Sequence, residues 1–86
     1  MPQISSFYGI VITMYFSEHG APHFHARRGE FSAKVEIATG EVMVGRLVRR
    51  DARLVRRWAR IHGQELEDNW MRAEAHLPLA NIAPLT

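Results

Sequence analysis

Hydrophobic positions along this chain change period once, midway. In the first half they alternate. Phe31, Ala33, Val35 and Ile37 stand between Ser32, Lys34 and Glu36, the two-residue period of a strand with one buried face. Residues 4–8 and 10–16 are β-branched and aromatic, with Gly9 between them as turn or bulge, and predict two further strands. Gly20 and Pro22 make 17–22 a loop. The stretch Ala-Thr-Gly-Glu at 38–41 predicts a turn, and 42–45 another short strand. In the second half the period becomes helical. Leu54, Trp58 and Ile61 recur at i, i+4 and i+7, flanked by Val55 and His62, so one helix face is apolar. Asp51 suits its N-cap. Gly63 offers a stop, after which Glu65, Glu67 and Asp68 suit the first turns of a second helix burying Leu66, Trp70 and Ala73. One continuous bent helix satisfies the same pattern. Pro78 and Pro84 bracket a tail that reads as an extended segment against the sheet. Strands followed by helices predict an α+β fold, a small antiparallel sheet with one or two C-terminal helices packed on one face.

The stretch between the loop and residue 31 can be placed by register. A two-residue hairpin loop at Gly29-Glu30, glycine first as a type II′ turn prefers, sets Arg28 opposite Phe31, Ala26 opposite Ala33 and Phe24 opposite Val35. Phe24, Ala26, Ala33 and Val35 then share the core face. His23, His25 and Arg27 take the other face, across from Glu36, Lys34 and Ser32. A slip of one residue would bury the charges. The expectation is that His23, His25 and Arg27 face away from the core, with His19 in the preceding loop.

Composition narrows the class. The 86 residues are read as one domain, 47% hydrophobic, which a chain of this length can use to bury roughly 60–65% of its unfolded surface. There is no cysteine, so neither disulfides nor thiolate metal sites brace it. The apolar run at 10–16 is too short to span a bilayer and no signal-peptide pattern precedes it, so a cytoplasmic protein with no membrane partner is expected. The net charge of +2 conceals a cluster. Seven of the eleven basic residues lie between Arg46 and Arg60, with Asp51 the one acid among them.

Two sets of residues carry candidate chemistry. Arg49, Arg50, Arg53, Arg56, Arg57 and Arg60 crowd the first helix, and the last four repeat at i, i+3, i+4 and i+7. A polar helix face is the ordinary reason for such residues. Without acids at i+4 they repel one another, which an anionic cover of nucleic acid or acidic protein would relieve. The second set is His19, His23 and His25. One reading is a polar strand face, with pairs such as His23 and Glu36 contributing a few tenths of a kcal/mol. Another is a metal site, since His-x-His on a strand aims both imidazoles the same way and His19 or Glu36 could be the third ligand. No fourth ligand is evident and His19 belongs to a Gly-Pro loop, so no metal and no cofactor are expected. The third reading is metal-independent cleavage of RNA, with His23 and His25 sharing general base and acid and Arg27 holding the phosphate. Trp58 and Trp70 are expected in the core, His62 packed beside it, and His76 at a helix end.

The segments "SEHGAPHFHARRGEFSAKVEIATGEVMVGRL", "LVRRWARIHGQELEDNW" and "IAPL" resemble domain-of-unknown-function family 4160 of small bacterial proteins. Its pattern marks Glu18, His19, Pro22, His23, Phe24, His25, Trp58, His62, Leu66, Asn69 and Trp70. Gly20-Ala21 and Ala26-Arg27 depart from it, both beside the histidines. The resemblance assigns none of these residues a catalytic role. It implies a toxin-like or regulatory component of a bacterial two-gene, toxin–antitoxin type module. The partners it implies are a small cognate protein encoded nearby and, in light of the arginines, RNA or DNA. If the protein is an enzyme, a metal-independent endoribonuclease is the expected class. The alternatives are a non-catalytic adaptor whose arginine helix binds an acidic cognate protein, and a metal-binding module at His19, His23 and His25.

Overall fold

A computed structural model describes residues 3–86. Five strands come first: β1 (Gln3–Phe7), β2 (Ile10–Thr13), β3 (His23–Arg28), β4 (Phe31–Glu36) and β5 (Val42–Gly45). They form one antiparallel sheet in chain order, so each strand pairs with the next. Two helices follow, α1 (Arg49–Ile61) and α2 (Gly63–Glu74), giving the α+β architecture that the change of period predicts. The second strand is shorter than its apolar run, since pairing stops at Thr13 while Met14 stays buried beyond it.

The β3–β4 register is the expected one. Phe24 faces Val35, Ala26 faces Ala33 and Arg28 faces Phe31, and Phe24, Ala26, Ala33 and Val35 are all buried. Gly29 has φ 60° while Glu30 is not among the positive-φ residues, as the glycine-first type II′ turn requires. At the far edge of the sheet, Gly45 is fixed by close approach. A Cβ built there would lie 2.3 Å from the Ser32 carbonyl oxygen, so any side chain would collide with β4.

The first helix turns a slightly different face inward from the one its leucine and isoleucine suggest. Val55, Trp58 and Ala59 are buried, whereas Leu54 is only half-buried and Ile61 is 60% exposed. The Trp58 ring meets Phe7 at 5.3 Å and Phe24 edge-on at 5.6 Å between centroids, and this aromatic contact sets the rotation of the helix. Asp51 is not the cap. Val48 occupies that position without a side-chain bond, and Asp51 sits in the first turn, 1% exposed, where Arg28 Nε of β3 donates to its Oδ2 at 2.5 Å. A buried carboxylate needs such a partner more than the helix end needs a cap. His62 alone separates the two helices, and its non-helical backbone (φ −108°, ψ 25°) makes them two elements. The Leu66 N–H still donates to the His62 carbonyl, so the chain turns with little loss of bonding.

The tail lies against the domain without becoming a strand. The Ile82 N–H donates to the Ile4 carbonyl of β1 at 2.8 Å. Trp58 Nε1 donates to the Ala83 carbonyl at 2.8 Å. Asn69 holds Ala80 at both ends, its amide NH2 donating to the carbonyl at 2.8 Å and its Oδ1 accepting from the N–H at 2.9 Å.

Candidate functional site

Alternation along β3 aims His23 and His25 to one side of the sheet. The loop before β3 brings them an acid. Ser17 takes a left-handed φ of 61°, turning the chain so that Glu18 reaches back over the strand. Glu18 Oε1 lies 2.6 Å from His25 Nε2 and 3.1 Å from His23 Nε2. On its other nitrogen, His23 Nδ1 lies 2.9 Å from the Ala21 carbonyl. A carbonyl only accepts, so Nδ1 carries the proton. Burial alone would raise the Glu18 carboxyl. The hydrogen bond and charge of His25, with those of His23, outweigh it and hold the carboxyl below the usual carboxylate range.

His23 does not lie on a solvated face. It is 2% exposed, because Trp70 of α2 covers it with ring centroids 5.1 Å apart. The strand alternates as expected, but the second helix reaches the start of β3 and buries the residue there. His25 and Glu18 are each 24% exposed, leaving the cluster open on one side, and Tyr15 packs edge-on to His25 at 4.8 Å. His19 is exposed and not in the cluster. Glu36 pairs with His23 across the strands, but its carboxylate accepts instead from Thr39 Oγ1 at 3.1 Å. Arg27 is exposed two residues beyond His25, paired in register with Val11 and Ser32. The third member of the group is thus Glu18, which residue chemistry alone did not select. The family pattern marked it, and its signal is an acid next to a histidine-rich strand.

The arginines occupy a separate element. Arg53, Arg56, Arg57 and Arg60 are exposed along α1 and together line one open concavity. Arg49 and Arg50 are exposed at the start of the same helix. Glu41 of the β4–β5 turn reaches the stripe, its Oε2 3.5 Å from Arg56 Nε. The helix's one acid, Asp51, is buried and held by Arg28, so α1 presents six arginines to solvent with no acid of its own among them.

The helix residues of the pattern make packing and tail contacts. Trp58 and Asn69 hold the tail, Leu66 is fully buried, and His62 packs on the Trp58 ring at 5.6 Å while bonded to Glu65 Oε1 through Nδ1 at 2.6 Å. His76 stacks on Phe16 just past α2. No helix is long and apolar enough to cross a membrane among the described residues. No curated protein and no solved structure matches the chain. One family model does, over residues 9–71, a span that takes in the histidine cluster and most of the helix pair. By that match the chain belongs to the family described as domain of unknown function DUF4160.

Proposed function

We propose that this protein is a nucleic-acid-binding component of a bacterial two-gene module, toxin-like or regulatory, that docks backbone phosphates on the arginine face of α1. The observation that carries this reading is the row of exposed arginines with no exposed acid on the same helix. Their mutual repulsion, together with two further arginines at the positive end of the helix dipole, is relieved when phosphates cover them. Arginine also suits the task, since its planar fork meets two phosphate oxygens at once. Cleavage by the histidines has less support. A general base needs a free lone pair near the 2′-hydroxyl, and both Nε2 atoms face the same Glu18 oxygen.

A second reading has one specific observation in its favour. Glu41 already places a carboxylate beside Arg56, so an acidic cognate protein could dock on the same stripe. The double substitution Arg56→Glu with Arg60→Glu separates the two, because neither side chain packs inward and the fold should survive. For nucleic acid, log K should fall by roughly 0.7–0.9 per phosphate neutralised as log salt rises, and the double variant should lose binding by at least about tenfold. If the wild-type protein binds neither RNA nor DNA at low salt, yet the double variant loses an acidic protein encoded nearby, the adaptor reading stands instead.

A further inference from the structure

The Glu18–His23–His25 cluster presents an electrostatic problem. His23 Nδ1 is committed as a donor to the Ala21 carbonyl at 2.9 Å, so a neutral His23 turns a lone pair from Nε2 toward Glu18 Oε1, 3.1 Å away. Two electron-rich atoms at that distance repel unless something positive lies between them. A second proton on His23 would serve, as a buried imidazolium. So would a cation. The backbone carbonyl on Nδ1 is the outer partner that metal-bound histidines use to fix tautomer and ring orientation.

We propose that Glu18, His23 and His25 form a binding site for a divalent first-row transition ion of the Zn2+ class. The three ligand atoms all lie within 4.8 Å of one another. A tetrahedral ion with bonds of about 2.0–2.1 Å needs ligand atoms roughly 3.3 Å apart, so small side-chain rotations suffice. Two imidazole nitrogens and one carboxylate oxygen suit Zn2+ and its neighbours better than Ca2+ or Mg2+, which prefer oxygen throughout. Packing prepares the site, as Trp70 clamps His23 and Tyr15 rests on His25. The exposed side of Glu18 and His25 leaves room for water as a fourth ligand. Glu18 thus takes the third position, for which residue type offers His19 or Glu36. The site is independent of the nucleic-acid reading, because no arginine of α1 takes part.

Metal-stripped protein titrated with Zn2+ in a calorimeter should take up one equivalent with micromolar or tighter affinity, and its Tm should rise. Glu18→Gln and His25→Ala should each weaken binding by at least about tenfold, while His19→Ala leaves it unchanged. His23 is buried and its replacement endangers the fold. Imidazole nitrogen NMR shifts follow it in the wild type instead, and Zn2+ should move Nε2 of both His23 and His25. Absence of saturation at millimolar Zn2+, or affinity unchanged in both Glu18→Gln and His25→Ala, overturns the proposal and leaves a proton-bridged triad.

Discussion

A buried amide side chain has two hydrogen-bonding ends to satisfy, and Asn69 satisfies both on one residue of the tail. Replacing it by alanine removes two bonds and leaves the N–H and carbonyl of Ala80 to find other partners. The expected cost is about 2–3 kcal/mol, read as a lower urea midpoint with an unchanged slope. Nothing about Asn69 itself announces this role, since its partner lies beyond the helix in an irregular segment. Glu18 was hidden for a similar reason. Histidines draw notice by their chemistry, whereas an acid in a loop acquires meaning only when a turn carries it back over a strand. Asp51 shows the converse. Its position and type suit a helix cap, and only the arrival of Arg28 from β3 makes it the buried half of an ion pair.

Elements were legible where a local rule over-determined them. The β3–β4 hairpin has a two-residue turn of known preference and two faces of opposite polarity, and a single register satisfies both. The helix face was less determined. Leucine and isoleucine suggest one seam, yet alanine at 52 and 59 is neutral enough to permit another, and Trp58 packing on Phe7 and Phe24 decides it. The burial of His23 is likewise an effect of where α2 lands, which no local pattern encodes. Gly45 gives the sharpest test at this scale. The variant Gly45→Ala places a methyl against the Ser32 carbonyl at a backbone φ of 87°, so β5 should detach or the domain should lose roughly 3 kcal/mol or more. Hydrogen exchange confined to β4 and β5 would distinguish local detachment from global loss.

Across the whole molecule, the sheet treats its two edges differently. On one side β5 is exposed along its length, and no described strand pairs with its outer edge. On the other, the tail covers β1 through Ile82, itself buried. Removing residues 79–86 would strip that cover, empty the Ile82 position and leave Trp58 and Asn69 without their partners. Since a domain of this kind has only about 5–15 kcal/mol of stability in hand, the truncated chain should unfold or self-associate, with earlier elution on size exclusion. The same clasp has a consequence in time. Ile82 follows every strand and both helices in the chain, so all of them emerge during synthesis before β1 can be sealed. At about 5–20 residues per second, the strand edge stays open for several seconds. Any pause in translation between the end of β5 and Ile82 lengthens that interval, and with it the opportunity for β1 to pair with a neighbouring nascent chain.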